Sequence, residues 1–271
     1  MADEMLNDLA ELCAQRDSTY ALLARLYRVE VDQPLLDGLH ATRFPAATGS
    51  AKANAGYRAL AEYLSNIDER STTELAVDFA RVFIGYGVDS YAAAFPFESV
   101  YTSEKRLKMQ EARDEVLAIY HAYGLDKSSE WEESEDHVAA ELEFMQVLCA
   151  RTTEALKAGD EDKAAQLLQT QKNFLEDHLA SWTPMMAVDM RRLAKTKFYL
   201  GLADLTDGFL AEDEAFLNEV LGDEEQPRLH ATTARQDPAP GRVPHVSRAV
   251  GRAWQTRGTS TWQTPWCANA L

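Results

Sequence analysis

The sequence predicts an all-α protein, a single helical-bundle domain, and three observations carry that prediction. Apolar residues recur at intervals of three and four through most of the first 226 positions. Ala, Leu, Glu, Lys and Gln, which lose little on entering a helix, dominate the same stretch. Alternating apolar and polar runs, the mark of half-buried strands, are almost absent.

Each element follows from its own residues. Leu6, Leu9, Cys13, Tyr20, Leu23 and Tyr27 make one apolar stripe, so the chain opens with an amphipathic helix. Tyr57, Leu60, Leu64 and Ile67 make a second, with Ser50 ahead of them as N-cap. Ser71-Thr72-Thr73-Glu74 reads as a capping box before Leu75, Phe79, Val82 and Phe83, and Gly85 stops that helix. From Gly85 to Pro96 the period breaks; with Tyr86, Tyr91, Phe95 and Phe97 this reads as a long loop carrying exposed apolar side chains. Ser103 is placed to cap a helix that passes Val116, Leu117 and Tyr120 and ends at Gly124. A helix starting near Ser134 carries Val138, Leu142, Met145 and Cys149; Gly159 ends it and Asp160 caps its successor. Thr183-Pro184 predicts a fresh start, with an N-cap followed by proline at the first helical position. Met190, Leu193 and Leu205 continue the core, and Phe216 with Val220 predicts a last short helix. No internal repeat of fixed period is present.

Composition narrows the function classes. The 271 residues hold 27 Lys plus Arg against 44 Asp plus Glu, a formal net charge of -17. Phosphate contact needs cationic side chains, so nucleic-acid binding is not expected. No apolar run reaches membrane-spanning length, and Met1-Ala2-Asp3-Glu4 lacks the basic and apolar regions of a secretory signal. A cytoplasmic protein without membrane insertion is expected, as monomer or homodimer. Cys13, Cys149 and Cys267 form no CxxC pair, which indicates neither a disulfide framework nor a cysteine zinc site. The charge is uneven. Residues 227–271 carry six Arg and one Asp, a net +5, against -22 for the remainder, and hold five of the nine Pro and three of the five Trp. Without a helical or strand period to bury those rings, this tail is expected to have little packed structure. It reads either as an Arg/Trp interaction arm or as an extension outside the domain, with the boundary at 226.

Four sites draw attention. Between Glu130 and Asp136 five carboxylates fall within seven residues at a helix start. Helix capping accounts for such a run; so does a receptor for a cationic peptide, because carboxylates accept paired hydrogen bonds from guanidinium groups. His137 and Glu141 lie four apart on one helix face, and His178 with Asp177 adds metal-ligand types, but no HExxH or His/Cys cluster supports a metal. No nucleophile elbow or phosphate loop exists, and Gly85-Tyr86-Gly87 is only a GxG, so an enzyme is not expected. The aromatic stretch from Phe79 to Tyr101 reads either as a loop packed on the helices or as an apolar groove for a peptide.

Three of these segments together resemble the TorD/DmsD family of cytoplasmic chaperones for molybdenum oxidoreductases. Phe83-Ile84-Gly85 followed by Pro96-Phe97-Glu98-Ser99-Val100-Tyr101 is similar to that family's F-x-G loop and P-x-x-S-V-Y segment. Glu133-Ser134-Glu135-Asp136-His137, leading into Glu141 to Met145, is similar to its E-P-x-D-H motif, with Ser134 where the family has Pro. Phe174, His178-Leu179 and Trp182 resemble its F-x-x-x-H-L-x-x-W helix. The order fits from about Tyr20 to Leu221; the tail resembles nothing in the family.

The resemblance implies a chaperone with no cofactor of its own. It would bind the twin-arginine signal peptide or apo form of a molybdopterin-containing oxidoreductase, assist cofactor insertion and delay export. By matching motif positions it implies Asp136 and His137 as the central peptide-binding pair, beside Glu133, with Gly85, Pro96, Ser99 and Tyr101 lining the neighbouring pocket. Two other readings stand beside it: an acidic helical adaptor for partner helices with no role in cofactor loading, and a metal-dependent enzyme using His137, Glu141 and His178.

Overall fold

Helix α1 (Ala2–Arg28) buries its predicted stripe, Leu9, Cys13, Tyr20, Leu23 and Tyr27, mainly along α7 (Val138–Lys157). The computed structural model describes residues 2–45, 47–85, 92–128 and 131–222. Among these the regular structure is helical: ten α-helices and two π-helical turns. The tail and the boundary expected at 226 lie outside the described residues.

Sequence reasoning passed over α2 (Gln33–Ala41), although its signals were ordinary: Asp32 caps it by accepting from the Leu35 N–H, and Pro34 sits in its first turn. Ser50 caps α3 (Ala51–Leu64) as expected, accepting from Ala53 N–H. The predicted capping box at α4 (Ser71–Phe79) does not form: Arg70 is the N-cap and makes no side-chain cap bond, while Asp68 and Ser71 bond reciprocally in the turn before it. Ser71 Oγ accepts from Asp68 N–H at 2.8 Å while Asp68 Oδ1 accepts from Arg70 N–H at 2.8 Å. Glu74, the expected partner of Ser71, instead accepts from the Tyr63 hydroxyl. Helix α4 widens into a π turn (Ala80–Ile84) that ends at Gly85, whose φ of 83° suits a residue without Cβ.

Ser103 does not cap the next helix. It closes a short one, α5 (Glu98–Thr102), and α6 (Glu111–Ala122) begins eight residues later and ends at Gly124 as expected. Gly159 and Asp160 end α7 and cap α8 (Glu161–Phe174) as predicted. Thr183-Pro184 starts nothing. From α8 the chain passes through a second π turn (Leu175–Leu179) into α9 (Ala180–Leu193), with Pro184 inside it. The Thr183 hydroxyl donates to the Leu179 carbonyl at 2.7 Å, satisfying an acceptor in the turn where proline supplies no N–H. The predicted last short helix is the end of a 25-residue one, α10 (Lys197–Leu221).

Helix α10 packs most extensively on α3 and also touches α8 and α9. Its contact with α3 is a close backbone approach: a Cβ on Gly208 would run into the backbone nitrogen of Ala53, and one on Gly56 into that of Leu205. Across the core, α1 and α10 share a buried ion pair, Arg16 with Asp213, which Tyr20 joins by donating to Asp213 Oδ2 at 2.6 Å.

Candidate functional site

The site is built where two loops meet. Pro96 and Gly85 are both buried. The end of the loop is tied to the first π turn by Ala94 N–H donating to the Val82 carbonyl at 2.8 Å. Phe97 and His137 then form an isolated antiparallel bridge: Glu98 N–H donates to the Asp136 carbonyl and Val138 N–H to the Pro96 carbonyl, both at 2.9 Å. Two sequence segments some forty residues apart thereby become one surface, against which α9 packs through α5.

Asp136 is fully buried and precedes α7 rather than lying in its first turn. Its Oδ2 accepts from Ser99 N–H at 3.0 Å, holding α5, and its Oδ1 accepts from the Ser134 hydroxyl. Serine at 134 thus supplies a donor that proline lacks. His137 is the N-cap of α7, with Nδ1 accepting from Ala139 N–H at 3.0 Å. Accepting there requires an unprotonated Nδ1. Burial, then the positive charges of Lys108 and Arg28, push its pKa from 6.5 down to about 3. Ser99, also buried, accepts on Oγ from Gln110 N–H at 3.1 Å.

Behind the bridge lies a buried polar cluster. Glu98 pairs with Nδ1 of His178, in the second π turn, at 3.0 Å. Trp182 Nε1 donates to Glu141 Oε2 at 3.1 Å, and Tyr101 stacks on Trp182 while its hydroxyl donates to Asp189 Oδ2 at 3.2 Å. Burial above all, then the neighbouring Glu98 carboxylate, pushes the Glu141 pKa well above the usual carboxylate range. All three sequence segments converge here. Glu98 was legible only as a neighbour of Ser99, since its partner lies 80 positions away.

The acidic connection divides. Glu135 is buried and opposed by Arg113 Nε at 2.6 Å and Lys127 Nζ at 3.3 Å. Burial pushes its pKa up, but the Arg113 hydrogen bond, a backbone bond and Lys127 outweigh it and bring the value to about 2. Glu133 stands at the surface, paired with Lys108 at 3.2 Å, and Glu130 is outside the described residues. The run is therefore not one open acidic face. Phe97, expected to be exposed, is only 3% exposed. Tyr86 and Tyr91 lie outside the described residues. Exposed apolar side chains instead include Leu107 and Met109 after α5, Met185 and Val188 on α9, and Ile84. Among the described residues no three His, Cys, Asp or Glu side chains gather to hold a metal, and His137 Nδ1 is engaged by the backbone.

The described residues thus form an all-α bundle in which a bridged loop pair covers a buried acid–histidine cluster. Residues 49–188, just over half the chain, match the family model described as nitrate reductase delta subunit, and the chain belongs to that family, the TorD-like chaperones. It is 31% identical over 156 residues to chaperone protein TorD of Photobacterium profundum, covering 58% of this chain and 68% of that one. It is 27% identical over 226 residues to chaperone protein TorD of Vibrio cholerae serotype O1 (strain M66-2), covering 80% and 98%. Over 107 residues it is 34% identical to the perchlorate reductase assembly chaperone protein of Dechloromonas aromatica (strain RCB), covering 40% and 46%. No described helix is long and apolar enough to cross a membrane.

Proposed function

We propose that this protein is a cytoplasmic assembly chaperone for a molybdopterin-containing oxidoreductase. It holds the client's twin-arginine signal peptide or apo form while cofactor is inserted, and so delays export. The observation that supports the reading is the Phe97–His137 bridge, which joins two of the family-like segments, with the third meeting them in the buried cluster through Glu98 and His178, in a chain whose relatives are named chaperones. The seven site residues divide into two roles. Asp136, His137, Ser99, Pro96 and Gly85 hold the surface in shape from beneath, and Glu133 and Tyr101, which reach solvent, contact the peptide.

Energetics assign the contributions. Exposed ion pairs contribute about 0.2–1 kcal/mol each, whereas micromolar affinity requires about 8 kcal/mol. Burying a few hundred Å² of apolar peptide at roughly 25 cal/mol per Å² supplies several kcal/mol before ordering costs. Leu107, Met109, Met185 and Val188 offer apolar surface of that kind. Affinity then comes from apolar contact and selectivity from the acids.

The test is capture of a precursor reductase. The purified chain should retain the precursor with its signal peptide, lose at least tenfold affinity when the arginine pair is replaced by Gln, and raise the molybdenum content of the reductase made with it. Equal retention of the mature reductase, or no gain in molybdenum, rejects the reading.

A further inference from the structure

The rings of Phe97 and Trp131 both stand T-shaped to His137, at 4.9 and 5.1 Å between centroids and with interplanar angles of 84° and 83°. Each ring carries a cation of the chain's own. Lys108 Nζ lies 3.7 Å from the Phe97 centroid and pairs with Glu133 at 3.2 Å. Arg28 Cζ lies 4.7 Å from the Trp131 centroid and pairs with Glu143 at 2.5 Å. Ring face plus carboxylate is the same combination twice, both rings packed on a single imidazole. We propose that these are two cation seats, filled by Lys108 and Arg28 in the unliganded chain, which two neighbouring arginines of a client peptide take over. The inference rests on the peptide-binding function proposed above and assigns it the residues that read the two charges.

Three features of the geometry favour exchange. All four charged side chains reach solvent, with exposures of 47% and 49% for Lys108 and Glu133, and 36% and 38% for Arg28 and Glu143. Exposed ion pairs and exposed cation–π contacts are weak, so the resident cations are held loosely. The loop presenting Lys108 contains two non-glycine residues in the left-handed region, Arg106 at φ 52° and Met109 at φ 58°, a backbone that gains by relaxing. An arginine replacing Lys108 gains the planar fork that meets a carboxylate through two hydrogen bonds and stacks on a ring. His137 takes part by staying neutral, since an imidazolium beside the seats would repel both cations. The Trp131 indole N–H is buried without a partner among the described residues, a donor that a peptide carbonyl could satisfy once Arg28 leaves the ring.

Calorimetry on the full chain tests this, with a synthetic peptide of two consecutive arginines followed by a Leu/Ala segment, and a second peptide with both arginines replaced by Gln. Removing the resident cations by Arg28→Gln with Lys108→Gln should tighten the arginine peptide at least threefold beyond the charge-matched control Arg25→Gln with Lys52→Gln. It should leave the Gln peptide where the control leaves it. Trp131→Leu should weaken the arginine peptide at least threefold and the Gln peptide much less. If the wild type prefers the arginine peptide but the double variant matches its control, the seats are overturned while peptide binding stands. If no protein binds either peptide, both the seats and the peptide reading fall.

Discussion

At the scale of single residues, His137 shows how a side chain shapes a site without being free to touch a ligand. Its Nδ1 is committed to Ala139 N–H and its ring edge is enclosed by Phe97 and Trp131. The folded state keeps it neutral down to about pH 3, while the unfolded chain protonates it near 6.5. Between those values the unfolded state binds more protons, so the stability this residue supplies is complete above about pH 6.5 and is lost as pH falls toward 3. His137→Asn, whose amide oxygen can still cap α7, should remove that dependence. From pH 7 to pH 5 the wild type should lose about 1–2 kcal/mol more than the variant in urea unfolding, at the scale of 1.36 kcal/mol per pKa unit; equal losses would place the titration elsewhere. Glu135 has a depressed pKa that acts in a lower window. With its pKa brought from 4.5 to about 2, its contribution is present above 4.5 and disappears as pH falls through 2. Glu135→Gln should therefore cost about 1.5–3 kcal/mol at pH 7, the range for hydrogen bonds to charged groups, and almost nothing near pH 2.

At the scale of elements, closeness matters more than propensity. Glycine inside a helix costs up to about 1 kcal/mol relative to alanine, yet α10 carries Gly201 and Gly208 and α3 carries Gly56. Where these helices approach, a Cβ at Gly208 would overlap the backbone of Ala53, and backbone cannot step aside as a side-chain tip can. Gly208→Ala should thus destabilise by about 1–3 kcal/mol through overpacking, although propensity alone favours it. A thermal melt no lower than wild type would mean that α3 and α10 can separate at no cost. The two π turns are the other element-scale device: one ends in the Gly85 segment and one carries His178, so both widened turns feed the site.

At the scale of the molecule, Arg16 and Asp213 bind the first long helix to the last across 197 positions. Both are buried, and Arg16 also lies over the Phe216 ring at 4.9 Å. Removing one partner leaves an uncompensated buried charge, so Asp213→Leu alone should cost about 3–5 kcal/mol, whereas Arg16→Met with Asp213→Leu should recover most of it. Failure of the double variant to recover would show that the pair sets the register of α1 on α10 beyond balancing charge. The predicted domain boundary belongs to the same scale. Helix α10 ends at Leu221 and Gly222 closes it. A chain ending at residue 226 is expected to keep the helical circular dichroism and melting temperature of the full protein, and a melt several degrees lower would put the tail within the fold.

Fold class, the stripe of α1, the caps at Ser50 and Asp160 and the stops at Gly85, Gly124 and Gly159 were legible in the sequence, because each depends on residues within one or two turns of chain. The same locality explains the errors. Thr183-Pro184 has the local form of a helix start, but the packing of α9 and the Thr183 hydroxyl carry the helix through it. The carboxylates from Glu130 to Asp136 look like one acidic face until Arg113, Lys127 and Lys108 arrive from other parts of the chain and, with the Ser99 N–H, engage three of them differently. Asp136 and His137 were visible as residues, whereas their burial and their hydrogen bonds to Ser99 and Ala139 were not. Sequence alone was enough for the fold class, most of the helices and the grouping of residues in motifs, since periodicity and capping are short-range. Which of those residues face solvent and which charges are already paired follows from packing alone, because burial and Coulomb pairing depend on neighbours that are distant in the chain, as Glu98 is from His178 and Arg16 from Asp213.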